Sequence, residues 1–462
     1  MFRTTPLPRL WLPLVLLLLG VPLAASGQDE VLHHFYPSLI DSNTGGKLNL
    51  SDFTPARQCG ECHDTMYRNW KVSMHARAFD DPLFQAVWAE ALQQAGPDME
   101  RLCAGCHSAI GTLAEFVWIR ESGQVIADNI AAEGVTCDLC HSVVAVKLLR
   151  KGEITGNAGL ILDPTGPKRG PSSDASDVFH GVAESKLHRS SDLCGACHNI
   201  FHPVSHTRVA RTHQEWQQSI YAENDITCQD CHMVPPELVP GIAHSLKKPA
   251  LPGATSVFET FRTPFYPHTF SGANVPIPEL LGNADHAADA RTLLQQAASV
   301  TITDVEPDPG NGTLTFLVTV RNEHAGHNLP TGMNEIRQMW LDVRVFQGEG
   351  KEPVWRSGGL DEAGRIDPEA RLFRALAVDA AGRPTWKPWE VERIAEDTSI
   401  PAKQSAKVEY RVPVAAAGGP LRVEATLRYR SFSQQIADDY LKRDGYWVPV
   451  IAMASARVEV AR

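Results

Sequence analysis

The sequence predicts an α+β, multidomain protein in which a mostly α and irregular part is followed by an all-β, immunoglobulin-like sandwich. Three observations predict this fold class. The chain has 462 residues, which is too long for one ordinary hydrophobic core. All ten cysteines lie in its first half. From residue 298 onward, hydrophobic and polar residues alternate with the period of two that is typical of half-buried strands. We therefore expect domains at 28–290 and 298–462, behind a separate segment at 1–27.

The N-terminal segment has the layout of a cleaved signal peptide. Arg3 and Arg9 form a basic region, an apolar run of 12 residues follows at 10–21, and small residues occupy 24–27. Because about 20 apolar residues are needed to cross a bilayer, and no later segment is long and apolar enough, we expect no permanent membrane anchor. The segment 1–27 therefore predicts a periplasmic or extracellular protein.

The ten cysteines form five C-x-x-C pairs, and a histidine follows each pair directly. C-x-x-C-H is the attachment sequence of c-type haem: two thiols on one side of a helical turn each bond a vinyl group, and the adjacent histidine reaches the iron. Zinc sites and disulfides also use paired cysteines, but five complete copies that consume every cysteine favour haem. The sequence therefore predicts five covalent haem c groups. Motifs 1 to 5 are Cys59, Cys62 and His63; Cys103, Cys106 and His107; Cys137, Cys140 and His141; Cys194, Cys197 and His198; and Cys228, Cys231 and His232.

Two internal sequence similarities indicate a duplicated unit. The first cysteines of motifs 2 and 3 are 34 residues apart, as are those of motifs 4 and 5. The segment Trp70-x-x-Ser73-x-His75-Ala76 also matches Trp216-x-x-Ser219-x-Tyr221-Ala222, with tyrosine in place of histidine. We expect Tyr221 to pack or to donate a hydrogen bond, although tyrosine can bind haem iron.

Local patterns predict a few regular elements. Asp81 and Pro82 begin a helix that Gly96 and Pro97 end. A Pro/Gly/Ser-rich loop is expected at 163–176, and a Pro-rich segment at 233–282 is expected to wrap the haem core. A helical connector near 283–297 leads to the alternating segments. The strands are expected around 313–321, 339–345, 408–412 and 421–427.

The segments CGECHDTMYRNWKVSMHARAF, EGVTCDLCHSV, DLCGACHNI, HQEWQQSIYAENDITCQDCHMVP and GHNLPTG resemble the bacterial multihaem c-type cytochromes. In particular, they resemble the family of the tetrahaem cytochrome that accepts electrons from hydroxylamine oxidoreductase. The resemblance implies a mostly α haem domain, closely packed haems, irons held by two histidines and electron transfer as the usual function. This chain departs from that family by its fifth haem motif and its large β domain, so we do not carry over the identity of the partner.

An iron held by two histidines needs a distal imidazole from outside the motifs, and thirteen histidines lie there. The resemblance places a distal ligand at His75, in the W-x-x-S-x-H context. His180, His268 and His327 are the next candidates, and His324 could replace His327. The remaining alternatives are His33, His34, His188, His202, His206, His213 and His244.

The charge balance excludes one class of partner. The chain has 43 basic and 54 acidic residues, a net charge of −11. Removal of residues 1–26 takes away two arginines and leaves 41 basic against 54 acidic residues, a net charge of −13. Nucleic-acid binding needs a cationic face, so we expect no nucleic-acid partner. The balance is compatible with a basic redox protein as partner.

Three functions remain open at this level. The first is an electron carrier, because irons with two strong ligands exchange electrons and have no open position for a substrate. The second is a reductase or oxidase of a small nitrogen or sulfur compound, which needs one open iron with acid–base groups beside it. All five motifs end in histidine, which weakens the hypothesis of a catalytic haem without excluding it. The third is a subunit of an extracellular electron-transfer assembly, with the β domain as docking or oligomer contact.

Overall fold

The structure is a computed structural model that describes Met1 and residues 34–116, 119–121, 124–126, 129–149, 152–175, 178–416 and 419–460. The chain divides into two units, Met1–His33 and His34–Arg462, and the second contains all five motifs. Apart from Met1, the predicted signal peptide at 1–27 lies outside the described residues, and it stays a prediction. In the described part of the chain, no helix is long and apolar enough to cross a membrane.

The first part of the second unit is built from short helices, and the cysteine motifs lie on them. Motifs 3 and 5 each form one helical turn of their own, and motif 2 ends a longer helix. The α-helices are Ala56–Gly60, Asp64–Val72, Pro82–Ala95, Pro97–His107, Ala109–Leu113, Cys137–His141, Ser191–Gly195, Thr212–Gln217, Ile220–Glu223, Cys228–His232, Val239–Ser245, Pro276–Leu280 and Ala284–Ala297. Single 3-10 turns lie at Leu50–Asp52, Ile130–Ala132, Lys186–Arg189 and Pro236–Leu238.

The helix predicted after Asp81 is confirmed as Pro82–Ala95. The Asp81 carboxylate accepts hydrogen bonds from the backbone N–H groups of Leu83 (2.8 Å) and Phe84 (3.2 Å), which satisfies two donors at the helix start. Gly96 has a φ of +81°, a conformation that glycine adopts without strain and that ends the helix. Local chemistry therefore fixes both ends of this element.

Short strands connect these helices. The Pro/Gly/Ser-rich loop predicted at 163–176 contains one of them, which pairs in parallel with a strand just before motif 4. The strands of this part are Asp41–Ser42, Ile119–Glu121, Gln124–Ile126, Val143–Val146, Leu160–Leu162, Lys168–Gly170, Val182–Glu184, Ile200–Phe201 and Arg208–Ala210.

The predicted connector is confirmed as the helix Ala284–Ala297, and the strand Ala298–Asp308 follows it directly. One antiparallel sheet pairs this strand with Thr313–Asn322, which in turn pairs with Ser405–Pro413. The second sheet has five strands in which Gln338–Gln347 and Leu421–Arg430 are central. Its outer members are Trp355–Ser357, Leu372–Phe373 and Ile451–Val460.

The two sheets share one hydrophobic core. Leu314, Phe316, Val318 and Val320 alternate with polar residues in the sequence, and all four are fully buried. The alternation therefore predicted the inner face of this strand correctly. A smaller sheet and three short helical segments complete the region: Ala375–Val378, Pro384–Thr385 and Arg393–Asp397, with Pro388–Glu390, Gln434–Ile436 and Ala437–Leu441.

The architecture is thus a helical part followed by a multi-sheet β region. The immunoglobulin-like sandwich and the domain limits at 28–290 and 298–462 stay predictions. The two parts pack against each other within one compact unit. Lys387 contacts Glu90 at 2.7 Å, and the Tyr440 hydroxyl donates a hydrogen bond to the same carboxylate. The Ser431 hydroxyl donates to the carbonyl of Ala273 at 3.1 Å.

Candidate functional site

A cavity of about 1160 Å³ runs through the helical part and reaches the β region. Cysteines and histidines from all five motifs line it, and so do the predicted distal candidates His75, His180, His268 and His327. Apolar side chains make up much of the remaining wall. The motifs, far apart in the sequence, therefore face one shared space whose lining suits large apolar cofactors.

Cysteines from different motifs lie next to each other in the fold. Cys59 hydrogen-bonds to Cys137, Cys194 to Cys228, and Cys197 to Cys106. The contacts bring motif 1 beside motif 3, motif 4 beside motif 5, and motif 2 beside motif 4.

The motif histidines are held by backbone carbonyls. In motifs 1, 2, 3 and 5, the Nδ1–H group of the histidine donates to a carbonyl oxygen, which leaves Nε2 as the free nitrogen. The predicted distal candidates His180, His268 and His327 make the same kind of contact. The pairs are His63 with Thr255 (2.9 Å), His107 with Ala78 (2.6 Å), His141 with Arg169 (2.6 Å), His232 with Ser271 (2.7 Å), His180 with Gly181 (3.1 Å), His268 with Tyr266 (2.6 Å) and His327 with Asn328 (2.8 Å).

Each of the four predicted distal candidates lies opposite a different motif histidine. The distances between ring centroids cover a narrow range from 6.2 to 6.3 Å. The pairs are His63 with His180 (6.2 Å), His198 with His75 (6.3 Å), His141 with His268 (6.3 Å) and His232 with His327 (6.2 Å).

His107 of motif 2 has a different neighbour. Its ring stacks on Phe84, with centroids 3.7 Å apart and planes inclined by 3°. No second histidine ring is placed opposite it within the described residues. Phe84 covers the flat face of the imidazole, so it does not occupy a position across from Nε2. In the described part of the chain, motif 2 therefore lacks the opposed histidine that each of the other four motifs has.

Burial favours the neutral form of these imidazoles, which is the form that binds a metal. Loss of hydration lowers the pKa of His75 to about 3 and that of His198, His107 and His268 to about 4. The same cause lowers the pKa of His327. A neutral imidazole has a free lone pair, so these side chains are ready to coordinate without releasing a proton.

The other distal alternatives are less well placed. His33 lies outside the described residues, and no ring contact with a motif histidine is found in the described chain for His206, His244 or His324. The remaining four have Nε2 engaged by protein groups: His34 by Glu115 (2.7 Å), His188 by the carbonyl of Cys140 (2.9 Å), His202 by the carbonyl of Trp389 (3.2 Å) and His213 by Asp192 (3.0 Å).

The two matching Trp-x-x-Ser segments, which begin at Trp70 and Trp216, adopt the same local structure. The indole N–H groups of Trp70 and Trp216 each donate, at 2.8 Å, to the carbonyl two residues before the first cysteine of a motif. The hydroxyls of Ser73 and Ser219 each donate back to their tryptophan carbonyl at 2.7 Å. Tyr221, which stands where His75 stands in the first copy, is 1% exposed and packs in a hydrophobic cluster.

Sequence reasoning missed two features of the site. His286 lines the cavity and is 3% exposed, but nothing in its helical context marks it. The carbonyl acceptors behind the imidazoles were also missed, because a backbone oxygen has no sequence signature. The acceptor residues share no sequence motif.

Comparison with known proteins gives two informative matches. Residues 58–142, which contain motifs 1 to 3, match the family described as cytochrome c554 and c-prime. A penta-heme cytochrome c552 from Thermochromatium tepidum is similar in fold, with a TM-score of 0.61 and 18% sequence identity over 89% of this chain and 100% of that chain. No curated protein matches the chain.

Two further solved structures match poorly. They are the putative ApaA protein from Bordetella pertussis, with 12% identity over 36% of this chain and 92% of that one, and the alkylpurine DNA glycosylase AlkC from Pseudomonas fluorescens, with 10% identity over 54% and 50%. Their TM-scores of 0.15 carry no information on this fold. The partial family match and the penta-heme fold likeness, taken with the five motifs, support a multihaem c-type cytochrome.

Proposed function

We propose that the chain is a periplasmic or extracellular pentahaem c-type cytochrome that carries electrons between redox partners. The observation that carries the proposal is the set of four histidine pairs with ring centroids 6.2 to 6.3 Å apart. Covalently bound haem would supply reversible one-electron exchange. The chain's own residues supply the thiols, the axial imidazoles and the apolar wall.

The centroid distances agree with two imidazoles that bind one metal ion from opposite sides. A metal–imidazole bond is about 2.0 Å long, and a ring nitrogen lies roughly 1.2 Å from its ring centre, so two opposed ligands hold their centroids about 6.4 Å apart. The pairs His63–His180, His198–His75, His141–His268 and His232–His327 fit this value. We therefore assign His180, His75, His268 and His327 as the distal ligands of motifs 1, 4, 3 and 5.

Motif 3 has two histidines near its own, and their contacts distinguish them. The His188 ring lies 5.6 Å from His141, but its Nε2 atom donates to the carbonyl of Cys140. The His268 ring lies 6.3 Å away, and its Nδ1 atom is the one bound to a carbonyl, so Nε2 is free. These contacts favour His268 as the ligand.

The thiol contacts support a connected array of cofactors. Motif 1 adjoins motif 3 through Cys59 and Cys137, and motif 4 adjoins motifs 2 and 5 through Cys197 and Cys194. Cys140 of motif 3 also lies close to Cys197 of motif 4. Motif 4 would then be the junction of the array, with motifs 1, 2 and 5 at its ends.

One observation favours a second candidate function, the reduction or oxidation of a small nitrogen or sulfur compound at motif 2. His107 faces no second histidine among the described residues, whereas each of the other four motif histidines does. An iron with an open position can bind a small ligand. Asp81 and Arg337 line the same cavity and could assist such chemistry.

A haem count combined with spin-state spectroscopy tests the proposal. We expect five haems per chain by pyridine haemochrome assay, with four low-spin irons and one high-spin iron by electron paramagnetic resonance. Steady-state assays with nitrite and hydroxylamine should show turnover well below the ordinary enzyme rate of about 10 per second. Three or fewer haems in a host that matures c-type cytochromes would refute the proposal, and rapid turnover would favour the second candidate.

A further inference from the structure

We infer that an exposed apolar surface beside motif 1 is the docking site of a small redox protein with a basic rim, through which electrons enter or leave. This inference rests on the proposed function. The surface, called here the motif-1 patch, comes from two loops that are distant in the sequence but adjacent in the fold. It consists of Val178, Phe179, Val257, Phe258 and Phe261.

The patch exposes large apolar side chains to an unusual extent. The exposed fractions are 89% for Val257, 80% for Phe261 and 75% for Val178. Phe179 and Phe258 line the haem cavity and connect these three residues to it. Single exposed hydrophobic residues are normal, but several large ones on two neighbouring loops are typical of a protein–protein interface. We therefore expect a partner protein to cover the motif-1 patch.

Side-chain contacts hold the two loops together. The rings of Phe179 and Phe258 lie 5.0 Å apart. The Arg262 guanidinium donates to Asp174 on the first loop at 3.0 Å and to Glu259 on its own loop at 2.8 Å. These contacts fix the two loops relative to each other, so less conformational entropy is lost when a partner protein binds.

The patch adjoins the axial ligands of motif 1. The carbonyl of Thr255, two residues before Val257, accepts the hydrogen bond from His63 Nδ1 at 2.9 Å. The assigned distal ligand His180 directly follows Phe179, and its ring lies 6.2 Å from His63. Motif 1 is also one end of the proposed array. A protein bound to the patch would therefore lie against the cofactor of motif 1.

The charge of this surface indicates the charge that a partner protein should carry. Arg262 contacts two carboxylates, Asp174 and Glu259, and the Asp174 side chain is 68% exposed. The whole chain has a net charge of −11, so its surface potential is negative on average. Complementary charge speeds encounter, whereas like charges oppose a second copy of this chain.

The basic residues in the same cavity wall do not reverse this charge. Lys168 contacts Asp138 at 2.6 Å, and Arg169 contacts Asp163 at 3.4 Å. Both basic side chains are largely buried and each is matched by a carboxylate. The surface therefore fits an apolar contact area surrounded by lysines or arginines, as on a small basic cytochrome.

Stopped-flow electron exchange on the intact holoprotein tests the inference. The reduced protein is mixed with an oxidised small basic monohaem cytochrome c, and with an acidic one as comparison. We expect a faster reaction with the basic probe and a rate that falls as ionic strength rises from about 20 mM to about 500 mM, because exposed charges are then screened. The double variant Val257→Lys, Phe261→Lys should lower the rate with the basic probe at least about tenfold.

Two further variants separate the contributions. Val257→Ser with Phe261→Ser removes apolar area without adding charge, and should slow exchange several-fold even at high salt. Val204→Lys with Val354→Lys adds the same charge at two exposed valines outside the motif-1 patch, 78% and 52% exposed, and should leave the rate unchanged. Haem content and reduction potentials should be the same in all variants.

An unchanged rate in the lysine variant, a preference for the acidic probe, or a dimer that the serine variant dissociates would overturn the inference. The first two results would leave the proposed function standing, provided that each protein contains five haems that dithionite reduces. A deficient haem count in the unmodified protein would instead refute the proposed function, and the docking inference with it.

Discussion

At the scale of single residues, the site depends on how each imidazole is oriented. A histidine ring has two nitrogens, and a carbonyl that accepts from Nδ1–H fixes the tautomer in which Nε2 carries the lone pair. His63, His107, His141 and His232 all have such a carbonyl, although the four acceptors lie far apart in the sequence. Substitutions at individual histidines should therefore have local and separable effects.

The first residue-scale prediction concerns His327, which the β region contributes to the cavity. His327→Ala should convert one low-spin haem to high-spin and shift one midpoint potential, because the iron of motif 5 loses its distal ligand. Electron paramagnetic resonance and a redox titration measure both effects. His324→Ala is the matched control, since the Nδ1–H of His324 donates to the carbonyl of Gln296 (2.6 Å) and the ring contacts no motif histidine in the described structure. An unchanged spectrum in His327→Ala, or a change in the control instead, would contradict the assignment.

A second residue-scale prediction distinguishes the two histidines near His141. His268→Ala should produce a high-spin signal from motif 3, because its free Nε2 atom is lost. His188→Ala should keep that iron low-spin, because its Nε2 atom is bound to the Cys140 carbonyl. The same spectra taken on both purified variants decide the question, and the reverse pattern would identify His188 as the ligand.

At the scale of elements, the helix Pro82–Ala95 shows how local chemistry supports the site. Its N-terminus is capped by Asp81, and its first turn presents Phe84 to His107. A cap satisfies N–H groups that have no partner inside the helix. The packing of Phe84 on the motif 2 imidazole therefore depends on a carboxylate three residues earlier in the chain.

The element-scale prediction is a loss of stability when this cap is removed. Asp81→Ala should lower the free energy of unfolding by about 1 kcal/mol, because two backbone donors at the helix start lose their acceptor. Asp81→Asn keeps an oxygen at the same place and should retain most of the stability. Thermal midpoints of the two variants, compared with the unmodified protein, measure the difference. Equal losses in both variants would mean that the side chain does not act as a cap.

At the scale of the whole molecule, the β region closes one side of the haem cavity and contacts the helical part through polar groups. The Glu215 carboxylate in the helical part accepts a hydrogen bond from the Thr331 hydroxyl at 2.5 Å. Arg211 contacts Asp397 across the same boundary at 2.6 Å. Near them, burial raises the pKa of Glu335 to about 7. This boundary should therefore respond to pH.

The whole-molecule prediction is a stability that falls as pH rises through the range of Glu335. The folded-state pKa lies above the ordinary value of 4.5, so the folded protein binds the proton more tightly than the unfolded chain. The free energy of unfolding should then decrease from about pH 4.5 to about pH 7 and stay lower above it, by roughly 1 to 3 kcal/mol from this group.

Glu335→Gln should remove this contribution and raise the thermal midpoint at pH 8 relative to the unmodified protein. Glu396→Gln, an exposed carboxyl on the strand Arg393–Asp397, serves as the control and should leave the pH profile unchanged. Thermal melts from pH 5 to pH 8 measure both. A profile in Glu335→Gln that parallels the unmodified protein would show that this carboxyl is not the source.

The sequence alone determined the features that depend on neighbouring residues. Haem attachment needs five consecutive residues, so five motifs predicted the thiols and the motif histidines directly. The helix Pro82–Ala95 and the strand Thr313–Asn322 follow from a cap and from alternation, which are also local. The resemblance gave His75, and context gave His180, His268 and His327 as an unpaired set of candidates.

Only the tertiary structure decided which histidines face each other. His327 reaches His232 from the β region, and His75 faces His198 of motif 4 although motif 1 is much nearer in the sequence. Only the structure could show, likewise, that no histidine among the described residues lies opposite His107. Covalent haem attachment depends on residues that are close neighbours in the sequence, whereas opposed ligands are brought together by the packing of distant segments. Packing depends on the whole chain, so no short pattern could have given these pairs.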